Sequence, residues 1–247
     1  MLTEQRFERI LERLKVQKSI TVAEITENLG ISESTARRDI TALDKAGKLT
    51  KVFGGAVAAE HPYETKEPTV AQKVNVKKEE KIRIAKYAAD MIGDDDFVYL
   101  DAGTSVGYMV EFLEGKRASF VTNAVAHAQR LAAQGNRVLL IGGELKSSTE
   151  AVVGAQAIEF LQKYHFTKGF FGTNGITKEE GFTTPDVGEA QVKHTAVKQC
   201  QKSYVLADSR KFGNISAVTF ASFDGSVILT EQAADGYKES ERLIVCR

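Results

Sequence analysis

The chain has 247 residues, which is enough for one large domain or two medium-sized domains with buried cores. Its 33 lysines and arginines balance 33 aspartates and glutamates, so net charge alone selects neither nucleic acid nor a membrane as the partner. Two cysteines are too few for a disulfide framework, no apolar run approaches the roughly 18 residues of a membrane helix, and the charged start MLTEQRFERI is unlike a signal peptide. We therefore expect a cytoplasmic protein with no membrane partner.

The first 56 residues are predicted to form a small, mainly helical unit. RFERILERL carries apolar residues at the spacing of an amphipathic helix, and the short β-branched stretch SITV follows it. TVAEITENLG predicts a second helix that ends at Gly30. Ser32 then caps a third helix that runs to about residue 46. KLTKVFGGAV predicts a short hairpin at its paired glycines.

The third helix has one apolar side and one basic side. At about 100° per residue, Ala36, Ile40 and Leu43 fall together and are predicted to face a core. The acidic residues of the helix lie on its flanks, so the side opposite the apolar stripe suits phosphate oxygens and base edges. We call that side the basic face of the third helix, and it comprises Ser34, Arg37, Arg38, Thr41 and Lys45.

The second helix, the tight turn at Gly30 and the third helix follow the helix-turn-helix plan, in which the later helix enters the major groove of DNA. Lys51 leads into the hairpin, which is predicted to form a wing beside the phosphates. The alternative is a helical protein-interaction domain with a solvated arginine pair. The residues predicted to contact DNA are Ser32, Ser34, Thr35, Arg37, Arg38, Thr41, Lys45, Lys51, Gly54 and Gly55.

This segment, ITVAEITENLGISESTARRDITALDKAGKLTKVFGGAV, resembles the N-terminal winged helix of the DeoR/GlpR family of bacterial transcriptional regulators. The resemblance continues over nearly the whole chain. Within the family, the chain is similar to members that accompany phosphotransferase uptake of fructose, tagatose or lactose. Two positions depart from the family pattern: Ala36 replaces a β-branched residue, and Phe53 replaces the usual wing histidine. The matching positions are Ser32, Thr35, Arg37, Arg38, Asp39, Leu43, Gly47, Gly54, Gly55 and Ala56.

The rest of the chain is predicted to be a linker followed by an α/β domain. Residues 57–78 hold two of the three prolines and little periodicity, which is typical of a linker. From 79 to 247, strand and helix patterns alternate, which predicts a mainly parallel sheet with helices on both faces.

Polar groups follow several of the predicted strands. LDAGTS places Asp101, Gly103, Thr104 and Ser105 between a strand and a helix N-terminus, which predicts an anion site; a plain capped turn is the alternative. Neither a Walker A loop nor a GxGxxG motif is present, so no nucleotide cofactor is expected.

Further groups are predicted to join this site because ligands gather at the carboxyl ends of strands in open α/β sheets. Glu189 and Lys193 are four apart on a predicted helix, and the alternative for them is an i,i+4 surface pair. The residues predicted to contact the ligand are Asp101, Gly103, Thr104, Ser105, Thr122, Asn123, Gly142, Gly143, Asn174, Gly175, Thr183, Glu189, Lys193 and Lys211.

The second domain is similar to the effector domain of the DeoR/GlpR family, which resembles ribose-5-phosphate isomerase. That resemblance implies a phosphorylated sugar as the ligand, with the phosphate on the DAGTS loop. The acid-rich loop of the isomerases corresponds to GTNGI here, which has no carboxylate to act as a base, so no catalytic residue is predicted. The alternative is an isomerase-type enzyme with an appended interaction domain.

These features together predict a transcriptional regulator and favour a repressor, although the sequence does not give the sign of regulation. Its partners would be a double-stranded operator DNA and a phosphorylated sugar that releases it. A homo-oligomer, dimer or tetramer, is expected because helix-turn-helix readers usually span two half-sites. The four histidines share no spacing, so no metal site is predicted.

Overall fold

A computed structural model of the chain describes residues 2–17, 19–58, 69–238 and 240–247. The chain divides into two compact units, Met1–Pro62 and Tyr63–Arg247. The predicted linker spans this division. Its first two residues belong to a strand, its later part contains a helix, and residues 59–68 between them lie outside the described ranges.

The first unit contains three helices and a small antiparallel sheet, as the sequence predicts. Its sheet has the strand order β1-β3-β2, and β2 and β3 form the predicted hairpin. In chain order the elements are α1 (Thr3–Gln17), β1 (Ser19–Thr21), α2 (Val22–Leu29), α3 (Glu33–Lys45), β2 (Leu49–Val52) and β3 (Gly55–Ala58).

Local capping sets the ends of α2 and α3. The Thr21 side chain and Glu24 form a reciprocal capping box at the start of α2. Gly30 ends that helix at φ +61, in the left-handed region that favours glycine. Ser32 accepts a hydrogen bond from the Thr35 backbone at the start of α3. The predicted helix end at Gly30 and cap at Ser32 are therefore confirmed.

The apolar stripe of α3 packs in the core of this unit, where Ala36, Ile40 and Leu43 are all buried, as predicted. Between those residues, Asp39 is also buried and pairs with Arg6 of α1. The Arg6 guanidinium donates from Nε at 2.6 Å and from its second terminal nitrogen at 2.9 Å. This bidentate pair sets the position of α3 against α1, because planar two-point contacts restrict orientation as well as distance.

The second unit is an α/β domain whose elements are α4 (Val70–Val74), α5 (Lys78–Asp90), β4 (Phe97–Leu100), α6 (Thr104–Met109), β5 (Ser119–Thr122), α7 (Val125–Ala133), β6 (Arg137–Leu140), β7 (Glu144–Lys146), β8 (Ala151–Val153), α8 (Ala155–Leu161), β9 (Phe166–Gly172), β10 (Gly175–Thr177), β11 (Gly181–Thr184), α9 (Val187–Lys198), β12 (Cys200–Leu206), β13 (Val218–Ala221), β14 (Val227–Thr230) and β15 (Leu243–Val245). Single 3-10 turns lie at Val110–Phe112, Ser209–Lys211 and Phe223–Gly225.

Seven of these strands form one sheet, in the order β15-β14-β12-β9-β4-β5-β6, with every neighbouring pair parallel. Successive strand residues point to opposite faces. Val98 and Leu100 of β4 accordingly enter one apolar cluster, with α5 and α6, while Tyr99 enters another, with α8 and α9. Helices therefore cover both faces, and the predicted α/β fold with a mainly parallel sheet is confirmed.

Two small antiparallel units were not predicted from the sequence. They are the β7–β8 hairpin and a three-stranded sheet in the order β10-β11-β13. Of their five strands, β13 corresponds to a strand that the sequence predicts near residues 215–221. The other four have three or four residues, which is too short for an alternating pattern to be recognised. Among the described helices, none is long and apolar enough to cross a membrane.

Candidate functional site

The basic face of α3 is open to solvent, but its two arginines differ in their surroundings. Arg37 donates from Nε to the Glu33 carboxylate at 3.0 Å, one helical turn back. Arg38 forms no hydrogen bond or ion pair with any described residue. On the helical wheel Arg38 also lies nearer than Arg37 to the middle of the basic face, beside Ser34. Arg38 is therefore the arginine that is available to a ligand without breaking an existing contact.

The hairpin is tied directly to α3. The Lys51 ammonium donates to the Thr41 hydroxyl at 3.0 Å, and the Lys51 backbone N–H donates to the Asp44 carboxylate at 2.9 Å. Gly54 turns the chain at φ +83, and its carbonyl accepts a hydrogen bond from the Val22 backbone at 2.9 Å. These contacts hold the wing and the basic face as one surface.

Three residues predicted to contact DNA also have structural roles in their own unit, and of these the sequence predicted only the cap at Ser32. Gly55 is buried, and a Cβ there would lie 2.2 Å from the Ile20 carbonyl oxygen, so this glycine allows β3 to approach β1. Ser32 and Thr35 join their hydroxyls at 2.9 Å within the cap of α3. Gly55 was predicted to contact DNA, and this part of the prediction is corrected, because the backbone of Gly55 is enclosed within its own unit.

In the second unit, a cavity of about 300 Å³ opens where β4, β5, β9 and β12 end. We call it the strand-end cavity. Its volume lies at the lower end of the range for small-molecule sites. Of the residues predicted to contact a ligand, the structure brings nine to its wall: Asp101, Gly103, Thr104, Ser105, Asn123, Asn174, Glu189, Lys193 and Lys211.

The other five predicted residues do not line the strand-end cavity. The Thr122 hydroxyl donates to the Leu100 carbonyl at 2.7 Å, and the Thr183 hydroxyl accepts from the Ser216 backbone at 2.9 Å, so both serve neighbouring backbone. The remaining three are glycines of turns or close contacts outside the wall: Gly142, Gly143 and Gly175. Thr122 ends β5 and the two glycines at 142 and 143 follow β6, which are both strands of the parallel sheet. Gly175 and Thr183 instead lie in the small antiparallel sheet of β10, β11 and β13, so the rule for parallel strand ends does not apply to them.

The wall also contains charged residues that were not in the predicted set. Lys73 comes from α4 within the predicted linker, and Lys81 comes from α5. Asp208 and Arg210 follow β12, beside the predicted Lys211, and that shared loop was their only sequence signal. Among the described residues, five cationic and three anionic side chains line the cavity, so this part of its wall favours an anion.

Lys81 is the most enclosed amine next to the DAGTS loop. Only 4% of Lys81 is exposed, and its ammonium donates to the Lys73 carbonyl at 2.6 Å and to the Thr104 hydroxyl at 3.0 Å. Burial lowers the pKa of Lys81 to about 8, against an opposing contribution from Asp208. Because α6 has only six residues, the positive character at this loop comes mainly from such side chains rather than from a helix dipole.

Asp101 and Lys193 form a buried ion pair at the base of the cavity. The same Asp101 oxygen accepts the Gly172 backbone N–H at 2.9 Å, and the Lys193 ammonium donates to the Gly172 carbonyl at 3.1 Å. Glu189 instead pairs with Lys146 at 3.1 Å. Glu189 and Lys193 are both buried, so the alternative of an i,i+4 surface pair is wrong.

No metal centre is evident in the described ranges, where no three His, Cys, Asp or Glu side chains are grouped to hold an ion. Of the described wall residues, the three acids each have a cationic partner: Asp101 has Lys193, Glu189 has Lys146, and Asp208 has Arg210.

Comparison with known proteins identifies the class of the chain. A model of the DeoR-like helix-turn-helix domain matches residues 6–61, and a model of the DeoR C terminal sensor domain matches residues 76–231. The chain is 37% identical to the uncharacterized HTH-type transcriptional regulator FruR of Bacillus subtilis, over 97% of this chain and 96% of that protein. It is 32% identical to the lactose phosphotransferase system repressor of Streptococcus mutans, over 96% and 95% of the two chains.

The chain is thus a DNA-binding transcriptional regulator built from a helix-turn-helix unit and a sensor unit. It belongs to the DeoR family, as the sequence predicted. A ribose 5-phosphate isomerase A from Neisseria gonorrhoeae matches 57% of this chain and 56% of its own, with a TM-score of 0.43 and 14% identity. That distant likeness supports no conclusion about chemistry.

The buried pair in the sensor unit leads to a stability prediction. Asp101→Ala should destabilise the chain by about 3 kcal/mol, because it leaves Lys193 charged and buried without its partner. The measurement is urea unfolding followed by circular dichroism. Asp94→Ala is the matched control, since its pair with Arg117 is exposed and its loss should matter far less. The combination Asp101→Leu with Lys193→Met should recover most of the loss. An Asp101→Ala chain as stable as the native one would contradict the structural role of the pair.

Proposed function

We propose that this protein is a repressor of a sugar-metabolism operon that leaves its double-stranded operator when a phosphorylated sugar binds in the strand-end cavity. The observation that carries the proposal is the buried Lys81 ammonium beside the Thr104 hydroxyl, in a wall where cations outnumber acids. A phosphate dianion accepts charge-assisted hydrogen bonds from such groups. The printed name of one relative, a lactose phosphotransferase system repressor, supports a sugar operon.

The rest of the wall supports a sugar rather than a bare anion. Asn123 and Asn174 offer amide groups and Ser105 offers a hydroxyl, and a few such groups around a small cavity are typical of sites that orient a polyol. A volume of about 300 Å³ suits a monosaccharide phosphate better than a dinucleotide.

Binding without turnover is supported by the pairing of the wall acids. Proton abstraction next to a carbonyl needs a carboxylate that can accept a proton. Within the described residues Asp101 and Asp208 are engaged by Lys193 and Arg210, and the GTNGI segment contributes Asn174 instead of an acid. We therefore propose a sensor and not an isomerase.

Coupling to DNA is proposed to pass along the chain through α4. This helix follows residues 59–68 and places Lys73 in the wall of the cavity. The described residues of α4 are not buried, and its backbone carbonyls at Lys73 and Val74 accept hydrogen bonds from Lys81 and Tyr108. A ligand that competes for Lys81 would change how α4 is held. A coupling free energy of about 1–3 kcal/mol would weaken operator binding by roughly 5–150-fold.

Two further parts of the proposal follow from the DNA-binding role. We propose a homo-oligomer, dimer or tetramer, because two helix-turn-helix units usually read two half-sites. We also place the protein in the cytoplasm, where bacterial operators are found.

The DNA-reading role is tested at the arginine pair. Arg38→Ala should weaken binding by about 5–150-fold, the range for loss of a good base contact. Arg37→Ala should weaken binding less, because Glu33 already neutralises that side chain. The measurement is fluorescence anisotropy with a duplex selected by the full-length chain from a random-sequence pool. Lys86→Ala, an exposed lysine of α5, is the control for simple loss of charge. If Arg38→Ala binds like the native chain, the assignment of the basic face is wrong.

The sensing role is tested at the DAGTS loop. Thr104→Asp puts a carboxylate where the phosphate is proposed to lie, so the chain should bind the selected duplex but fail to release it. Release is measured with a panel of fructose, tagatose and glucose phosphates. Thr219→Asp, an exposed position of β13 outside the cavity wall, is the control and should still release DNA. Retained release by Thr104→Asp would exclude this phosphate site, and interconversion of the sugars by the native chain would favour the isomerase.

Lys81 predicts a pH dependence of sugar-phosphate binding. Its pKa of about 8 in the free protein means that the ammonium is charged at pH 7 and mostly neutral at pH 9. A bound dianion favours the charged form, so affinity should fall about tenfold between pH 7 and 9. The phosphate stays doubly ionised over this range because its second pKa is about 6. The charged groups facing Lys81 are Lys73, Asp208, Arg210 and Lys211.

Lys81→Met should bind the sugar phosphate more weakly and lose this pH dependence, measured by isothermal titration calorimetry. Lys86→Met is the exposed control on the same helix and should keep it. An unchanged pH profile in Lys81→Met would show that another group titrates.

A further inference from the structure

The tip of the wing carries an aromatic ring in an exposed position. Phe53 lies in the two-residue turn between β2 and β3, and its exposed fraction of 109% means that the ring meets solvent on all sides. The neighbouring Val52 is also 42% exposed, so the tip is an apolar surface rather than a single side chain. Burying an aromatic ring is favourable, so this surface gains free energy from any partner that covers it.

The ring is presented by backbone that the rest of the unit holds in place. The Gly54 carbonyl accepts from the Val22 backbone, and Gly55 packs against the Ile20 carbonyl oxygen, so the turn cannot move without breaking the sheet. Two residues before Phe53, Lys51 contacts Thr41 on the basic face of α3. The tip is therefore continuous with the surface that reads DNA in this family.

We propose that Phe53 is an apolar contact between the wing and the minor groove of the operator, with its ring against deoxyribose and base edges. This inference rests on the proposed DNA-binding role of the basic face. The ring has neither charge nor a hydrogen-bonding group, so it is not a phosphate contact or a reader of base edges by hydrogen bonds. Because α3 is proposed to occupy the major groove, the adjoining wing would meet the minor groove beside it, where apolar side chains contact the DNA or wedge between base steps.

The chemistry of this contact differs from that of its neighbours. Lys51 in the hairpin and Lys48 just before it are exposed cations, and any phosphate contact they make releases counterions and weakens with salt. An apolar contact releases no counterion. Phe53 is therefore expected to add affinity that does not depend on salt, and this difference separates its role from theirs.

The first test compares variants with the selected duplex between roughly 50 and 200 mM KCl. Phe53→Ala should raise the Kd by about 10–100-fold, the range expected for a buried aromatic ring. The slope of log Kd against log salt should stay that of the native chain. Lys51→Ala is the contrast, and its slope should fall by about one unit if it contacts a phosphate. Native affinity in Phe53→Ala, or a changed slope, would overturn the proposal.

The second test uses the absence of tryptophan from the sequence. Phe53→Trp supplies a single tryptophan at the tip, which is excited selectively at wavelengths where the seven tyrosines do not absorb. Its quenching by acrylamide should fall when the selected duplex is added but not when sugar phosphate is added alone. Leu2→Trp, at an exposed position of the same unit, is the control and should be quenched equally with and without DNA. Equal quenching of Phe53→Trp in both states would overturn the proposal.

Three outcomes distinguish a failure of the proposed Phe53 contact from a failure of the DNA-binding role on which it rests. If the native chain selects no duplex, the DNA-binding role itself fails. If the native chain binds and Phe53→Ala binds equally well, only the role of Phe53 fails. If acrylamide quenches Phe53→Trp less as the protein concentration rises in the absence of DNA, the tip is a contact between copies of the chain. That result would also overturn the proposal. Because the Phe53 ring is fully exposed to solvent, Phe53→Ala should melt like the native chain.

Discussion

The buried ion pair of Asp101 and Lys193 is the interaction on which the sensor site depends. It joins the end of β4 to α9, and through the Gly172 backbone it also holds the end of β9. Buried pairs of this kind add little net stability over an apolar core, but they cost a great deal when one partner is missing. The value of the pair in this protein is positional: the DAGTS loop starts at Asp101, so Thr104 and the surrounding cations are held where a ligand can meet them.

The same physical arrangement recurs in the DNA-binding unit. Asp39 belongs to the Arg-Arg-Asp motif of α3, yet its carboxylate faces the core and pairs with Arg6. In both units, an acid that stands among functional residues in the sequence is a buried tie that positions them. The side chains that are available for binding are those without a hydrogen bond or ion pair to another described residue, such as Arg38 on the basic face.

Both proposed binding sites of the protein carry clustered positive charge. The overall balance of 33 basic and 33 acidic residues conceals two local groups of positive charge, one on the basic face of α3 and one among the described residues of the strand-end cavity. In the cavity the acids are paired, so a phosphorylated ligand would meet cations that are held in place and partly desolvated. Burial disfavours the charged form of a lysine, and it lowers the pKa of Lys81 to about 8.

The sequence by itself determined the helices of the first unit, the basic face of α3 and the parallel α/β class of the second unit. These features depend on residues close together in the chain, and periodicity and capping report such residues directly. Only the tertiary structure decided which polar residues share the strand-end cavity. Lys81 carries no sequence signal because its partner Thr104 is 23 positions away, and Lys193 meets Asp101 across 92 positions. Thr122 ends β5 on the correct side, but its hydroxyl donates to neighbouring backbone, and Thr183 lies in the separate antiparallel sheet, where its hydroxyl accepts from backbone. No local pattern records where a side chain finds its hydrogen bond.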